Sequence, residues 1–83
     1  MVYWQKFDPE EYEFEFDEDE LSRHRVTADE ATEVIWNGFD VRRNKKHHVG
    51  YQITGSTDGG RSLKLIVYEK RPGLIRVVTG WQI

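Results

Sequence analysis

Residues 49–83 read VGYQITGSTDGGRSLKLIVYEKRPGLIRVVTGWQI, and this stretch decides the fold. Apolar and polar side chains alternate along three of its segments, which is the period of a β-strand with one buried face. Turn-forming residues separate the segments at positions 55–60 and at Pro72-Gly73. The stretch therefore predicts a three-strand antiparallel meander. Its expected inner face carries Leu63, Leu65, Val67, Ile75 and Val77.

Trp81 lies near the end of the third segment, and its environment depends on the alternation of that strand. On an ideal strand Trp81 shares the face of Ile75 and Val77. The pattern therefore predicts a core position for this tryptophan, unless Gly80 marks a β-bulge that reverses the alternation.

The composition bounds the class of protein. Eighty-three residues suffice for one small domain spanning residues 1–83, of which we expect residues 1–7 to be loose. The chain has no cysteine, which excludes a disulfide framework and a thiolate metal site. No segment approaches the ~18 apolar residues of a membrane span, and the N-terminus lacks the pattern of a signal peptide. These features predict a cytoplasmic protein without membrane contact.

An acidic segment opens the chain, since nine of the thirteen residues from Asp8 to Glu20 are acidic. Within it, Tyr12, Phe14 and Phe16 alternate with charged residues. This alternation predicts a short strand with an aromatic inner face and a carboxylate outer face. The nine carboxylates could alternatively imitate nucleic-acid phosphates and shield basic parts of the same chain.

A capping box marks the clearest helix of the chain. Thr27 stands three residues before Glu30, so each side chain can bond a free backbone amide of the first turn. A helix is therefore predicted at Ala28–Trp36, and Asn37-Gly38 supplies a stop signal. With one or two helical turns within residues 17–24 and a strand start at 39–41, these elements predict an α+β fold. Its small antiparallel sheet, built from the N-terminal strand and the C-terminal meander, packs against one or two short helices.

Charge is divided unequally along the chain. Residues 1–41 hold 3 basic and 13 acidic residues, a formal charge of −10, whereas residues 42–83 hold 9 basic and 2 acidic residues, a formal charge of +7. The two halves could simply attract each other across the fold. Alternatively, the basic half meets a polyanion.

The expected outer face of the meander carries Lys64, Tyr68 and Arg76. Because cations neutralise phosphates and tyrosine can stack on a base, this face is a candidate platform for RNA. The same residue types also suit an ordinary solvated sheet face, and the pattern leaves both interpretations open. If RNA were cut here, Arg76, Arg61 and Lys64 would suit the stabilisation of charge at phosphorus.

A basic run supplies further candidates: Arg42, Arg43, Lys45, Lys46, His47 and His48. Its arginines and lysines are candidate RNA-binding residues, although a charge run is also typical of a solvated surface. His47 or His48 is the candidate for proton transfer, because histidine titrates near neutral pH. Neighbouring strand residues point to opposite faces, so at most one of the two can face the site.

The remaining histidine, His24, is expected to cap the short helix or to pair with an acidic neighbour. The chain has no histidine pair with metal-ligand spacing, no calcium loop and no phosphate-binding loop. We therefore expect neither a metal ion nor a cofactor.

Several short motifs resemble those of BrnT-type toxins, in the same order and with compatible gaps. Phe14-Glu15-Phe16-Asp17 and residues 29–35, DEATEVI, are similar to that family's Phe-Glu-Trp-Asp strand and Glu-Glu-Ala-x-x-Val-Phe helix. Residues 55–61, GSTDGGR, resemble its Gly-Arg-Ser/Thr-Asp-x-Gly-Arg turn. Ile75-Arg76-Val77-Val78-Thr79 resembles its Ile-Arg-Ile-Ile-Ser strand, and the whole resemblance covers about residues 12–81.

The resemblance implies a RelE-like fold and a metal-independent ribonuclease that acts on RNA and arrests growth. It also implies a cognate antitoxin protein that neutralises the toxin and through which the toxin assembles into an oligomer. Arg61, Tyr68 and Arg76 match family positions, whereas the family's Glu-Arg pair falls on Val49-Gly50 and its terminal arginine on Trp81. Two other functions fit the same sequence. One is a binding module of this fold that has lost catalysis, and the other is an adaptor that uses the acidic strand.

Overall fold

A computed structural model describes residues 8–43 and 50–83. The expectation of a loose segment at residues 1–7 lies outside the described residues. After a 3₁₀ turn at Pro9–Glu11, the chain forms β1 (Glu13–Phe16), α1 (Glu18–Arg23), α2 (Ala28–Trp36), β2 (Phe39–Arg43), β3 (Gly50–Ser56), β4 (Ser62–Arg71) and β5 (Leu74–Gln82). The α+β fold, the N-terminal strand, the meander and the helix at Ala28–Trp36 are thereby confirmed.

The five strands form one sheet in the order β1-β5-β4-β3-β2. The meander β3-β4-β5 is antiparallel throughout, and β2 extends it antiparallel to β3. β1 pairs parallel to β5, so the sheet is mixed. The sequence pattern predicts a wholly antiparallel sheet, and this part of the prediction is wrong for β1. The two helices between β1 and β2 allow the parallel pairing, because they carry the chain from one edge of the sheet to the other.

The core lies between the helices and one face of the sheet. The buried side chains that form it are Leu21, Val26, Ala31, Val34, Ile35, Ile53, Leu63, Leu65, Val67, Ile75 and Val77. All five residues predicted for the inner face of the meander belong to this cluster and are fully buried. The aromatic rings of Tyr12, Phe14 and Phe16 pack against it from β1 and its approach, as their alternation with charged residues predicts.

Each helix begins with a cap that its sequence specifies. The side chain of Thr27 accepts a bond from the Glu30 amide at 3.1 Å, and the Glu30 carboxylate accepts one from the Thr27 amide at 3.2 Å. This is the predicted capping box of α2. In α1, Asp17 caps the N-terminus through the Glu20 amide at 3.1 Å. α1 buries only Leu21, which attaches this short helix to the core.

A bulge in β5 places Trp81 on the face opposite to the core. Val67 pairs with Val77 but Ile66 pairs with Thr79, so Val78 is an extra residue in β5. The alternation reverses after this point. Gly80, now opposite Leu65, takes the buried position and Trp81 lies opposite Lys64. The prediction that Trp81 lies in the core is therefore wrong, and the bulge precedes Gly80 by two residues.

Candidate nucleic-acid interface

The outer face is the side of the sheet opposite to the hydrophobic core. The register places on it Asp40, Arg42, Gln52, Thr54, Lys64, Ile66, Tyr68, Arg76, Thr79 and Trp81. Tyr68 and Arg76 are direct cross-strand neighbours. Lys64 and Trp81 form a second cross-strand pair, four residues away along β4. Ile66 lies between Lys64 and Tyr68 and is buried. The face therefore combines two aromatic rings with cations, which are the groups that contact bases and phosphates in RNA.

Arg76 is held by two carboxylates from the N-terminal segment. Its Nη1 lies 3.2 Å from Glu15 Oε1, and its Nη2 donates to Asp17 Oδ2 at 3.2 Å. Lys70 Nζ donates to the other oxygen of Glu15 at 3.0 Å. Hydrogen bonding from Lys70 and then from Arg76 lowers the pKa of Glu15, against an opposing effect of desolvation. The charge of Arg76 is thus compensated within the fold, and an RNA phosphate would have to compete with these carboxylates.

Arg61 lies at the other end of β4 and connects three parts of the chain. Its Nη1 bonds the Glu30 carboxylate at 2.5 Å and the Arg25 carbonyl oxygen at 3.1 Å, while its Nε donates to Gln82 Oε1 at 3.3 Å. Arg25 has a φ of 58°, in the left-handed region that residues with a Cβ seldom adopt. The contacts of Arg61 therefore fix the strained connection between α1 and α2 against the sheet.

The structure does not bring Arg61 and Arg76 together. Arg61 bonds Gln82, whose cross-strand partner Leu63 lies five residues along β4 from Tyr68, the partner of Arg76. This separation corresponds to about 17 Å at ~3.3 Å per strand residue. Of the cations proposed for the site, Lys64 lies between these two ends of the sheet.

Within residues 8–43 and 50–83, Lys64, Tyr68 and the exposed Arg42 make no hydrogen bond or ion pair through their side chains. Among the described residues, no partner competes with a ligand for their polar groups.

We expect the Arg61–Glu30 pair to make stability depend on pH below neutrality. Hydrogen bonding from Arg61 lowers the pKa of Glu30 in the folded protein. The contribution of the ion pair to the free energy of unfolding is therefore fully present above the unfolded carboxyl pKa of ~4.3. It is lost as the pH falls through the lowered pKa of the folded protein. Glu30→Gln keeps a residue suited to the capping box but removes the charge, and should cost about 1 kcal/mol at pH 7 and less near pH 3.

Urea unfolding of the wild type and Glu30→Gln at both pH values measures this difference. Glu11→Gln is the matched control, because Glu11 is an exposed carboxylate whose side chain makes no hydrogen bond or ion pair among the residues that the structure describes. An equal cost of Glu30→Gln at the two pH values would contradict the assigned role of the ion pair.

His24 and Trp81 form a second cluster on the outer face that sequence reasoning missed. His24 is the C-cap of α1, and its Nε2 lies 3.5 Å from Glu20 Oε1, so both expected roles of this histidine are confirmed. Its ring lies 6.1 Å from the ring of Trp81, centroid to centroid. The sequence feature that indicated an outer position for Trp81 was Gly80, because a glycine within a strand can mark a bulge.

The other predicted site residues lie at the end of β2 or beyond it. The backbone of Arg43 ends β2, opposite Tyr51. Lys45, Lys46, His47 and His48 lie outside the described residues, and their proposed roles remain predictions. In the described ranges, no group of three or more histidine, aspartate or glutamate side chains is placed to hold a metal ion. Neither α1 nor α2 is long and apolar enough to cross a membrane.

No protein-family model matches the sequence, and neither the curated proteins nor the solved structures contain a significant match.

Proposed function

We propose that this chain is the toxin of a type II toxin–antitoxin system, of BrnT/RelE-like type, and acts on RNA as a metal-independent ribonuclease. The observation that supports the proposal is the outer face, where Tyr68 stands beside Arg76 and Lys64 beside Trp81. This combination suits phosphate neutralisation and base stacking. The resemblance of residues 12–81 to BrnT-type toxins supplies the reaction class. A cognate antitoxin protein would neutralise the chain in the cytoplasm.

The reaction requires groups that this face supplies in part. A base takes the proton from the 2′-hydroxyl, the 2′-oxygen attacks phosphorus, and an acid protonates the 5′-oxygen that leaves. Arg76 would stabilise the negative charge that develops on the phosphoryl oxygens. Lys64, four residues along β4 from the partner of Arg76, would neutralise a neighbouring phosphate. Tyr68, as the cross-strand neighbour of Arg76, would orient or stack the adjoining base. Proton transfer is assigned to His47 or His48, as the sequence predicts.

A binding module of the same fold, without catalysis, is the second candidate. One observation favours it: both proposed catalytic arginines already have carboxylate partners, Arg76 with Glu15 and Asp17, and Arg61 with Glu30. A guanidinium that is paired in this way provides less stabilisation to a transition state than a free one. Such a module would bind RNA through Lys64, Tyr68 and Trp81 and leave it intact.

Growth of a bacterial culture after induction of this chain alone tests the toxin proposal. We expect growth arrest with the wild type and relief of arrest with Arg76→Lys. The lysine keeps a positive charge beside Glu15 and Asp17 but loses the two-pronged geometry of arginine, which should slow cleavage about 10²-fold. Arg71→Lys is the matched control, since Arg71 is exposed and makes no ion pair among the described residues. It should arrest growth like the wild type.

Two results would contradict a toxin. One is normal growth with abundant soluble wild-type protein, and the other is arrest that Arg76→Lys and Arg71→Lys leave equally unchanged. After normal growth, salt-sensitive binding of RNA that remains uncut would support the binding module. Absence of RNA binding at low salt would contradict both candidates.

A further inference from the structure

Two aromatic rings from distant parts of the sequence meet at one end of the outer face. His24 ends α1, and Trp81 lies near the end of β5. Their ring centroids are 6.1 Å apart and the ring planes are inclined at 54°. The bulge at Val78 creates this contact, because without it Trp81 would face the core. Trp81 is half-buried and His24 has 41% of its side chain exposed, so a ligand can reach both.

The position of His24 is fixed by the elements on either side of it. Glu20 Oε1 lies 3.5 Å from His24 Nε2 and accepts a bond from the Thr79 hydroxyl of β5 at 3.4 Å. One turn of α1 away from the imidazole, Leu21 is fully buried and holds the helix on the core. The imidazole is therefore set beside Trp81 before any ligand arrives, which lowers the entropic cost of binding.

A cation completes the cluster. Lys64 is the cross-strand partner of Trp81 on the outer face. Its ammonium group makes no ion pair with any residue in the described ranges. The carboxylate beside His24 is that of Glu20, which is shared between His24 and Arg23 Nη1 at 3.4 Å. Asp40 lies two strands from Lys64 on the same face, across Thr54. An anion can therefore approach Trp81 from the side of Lys64.

We propose that Trp81, His24 and Lys64 bind one unstacked base of single-stranded RNA together with its phosphate. The indole of Trp81 would stack on the base, the imidazole of His24 would border it, and Lys64 would neutralise the phosphate. Stacking on an aromatic ring combined with a nearby cation is the common mode of binding to single strands. The proposal rests on the proposed RNA-binding function and locates a base site in a part of the outer face that lies away from Arg76.

Fluorescence anisotropy with a short, labelled, mixed-sequence oligoribonucleotide tests the site on the full chain. We expect Trp81→Ala to weaken binding about tenfold or more, as loss of one aromatic platform does, and Trp81→Phe to restore most of it. Trp36→Ala is the matched control, because Trp36 is 53% exposed on α2, on the other side of the sheet from the outer face. Lys64→Gln should reduce the dependence of binding on salt by about one phosphate contact.

The outcomes separate this proposal from the function on which it rests. If the wild type binds and Trp81→Ala binds equally well, the base site is wrong while RNA binding stands. If the wild type binds no RNA at low salt, both are overturned. Circular dichroism checks that each variant is folded. Should Trp81→Ala unfold, His24→Ala and Lys64→Gln decide the matter, and wild-type affinity in both would overturn the site.

Discussion

Replacement of Gly80 by alanine is expected to destabilise the protein by about 2–3 kcal/mol, because no space exists for a Cβ at this position. A Cβ on Gly80 would lie 2.5 Å from Leu65 Cδ2, 3.1 Å from the Lys64 carbonyl oxygen and 3.3 Å from Leu21 Cδ2. Leu65 and Leu21 are fully buried, so neither can turn aside into solvent. The cost is a large part of the roughly 4–12 kcal/mol that stabilises a domain of this length.

Urea unfolding of Gly80→Ala beside Gly59→Ala measures the effect. A Cβ on Gly59 meets its nearest atom, Thr57 Oγ1, at 3.9 Å, which is an ordinary contact. This control should change the midpoint little. Leu65→Ala removes the closest clashing atom, so the double variant with Gly80→Ala should lose less stability than the two single variants together. Strict additivity, or a neutral Gly80→Ala, would contradict the packing described for the bulged part of β5.

Leu21→Ala is expected to destabilise the protein by about 2–5 kcal/mol, the range for loss of a buried leucine side chain. Leu21 is 0% exposed and is the single buried residue of α1. α1 has six residues, too few to be stable by itself, so this contact attaches the helix to the sheet. Glu20 and His24 belong to the same helix and its cap, and loss of Leu21 should therefore also weaken the proposed base site.

Ile83→Ala provides the comparison for Leu21→Ala, because Ile83 is an aliphatic residue with 56% of its surface exposed. It should cost well under 1 kcal/mol. Urea unfolding gives both free energies, and hydrogen exchange of residues 18–24 reports whether the helix has separated from the sheet. A Leu21→Ala variant that keeps wild-type stability would show that α1 does not depend on the core.

The ion pairs of the outer face bear directly on the choice between a toxin and a binding module. In the described ranges, Lys70 and Arg76 of the basic half pair with Glu15, and Arg76 also pairs with Asp17. The division of charge along the chain is thus used, at least in part, to join the two halves of the fold. Only cations without such partners, Lys64 among them, are immediately available to a polyanion.

Local sequence determined most of the secondary structure. The capping box of Thr27 and Glu30 involves residues three apart, so its bonds form within a single turn and can be predicted from the sequence. Strand alternation placed Leu65 and Val77 in the core, because side chains alternate between the two faces of any regular strand. The aromatic face of β1 followed from the same rule.

The site depended on contacts that no local pattern contains. Asp17 and Arg76 are 59 residues apart, and Glu30 and Arg61 are 31 apart, so only the folded chain shows that the proposed catalytic arginines are already paired. The parallel pairing of β1 with β5 likewise joins strands that are far apart in the sequence. Strand periodicity alone does not specify which strands pair.

The sequence by itself therefore determined the helix, the strands and the inner face of the meander, since each depends on residues within a few positions of one another. The tertiary structure alone decided on which side of the sheet Trp81 lies. One extra residue at Val78 reverses the alternation, and the close approach of Leu65 and Leu21 to Gly80 shows why a glycine occupies the buried position that follows.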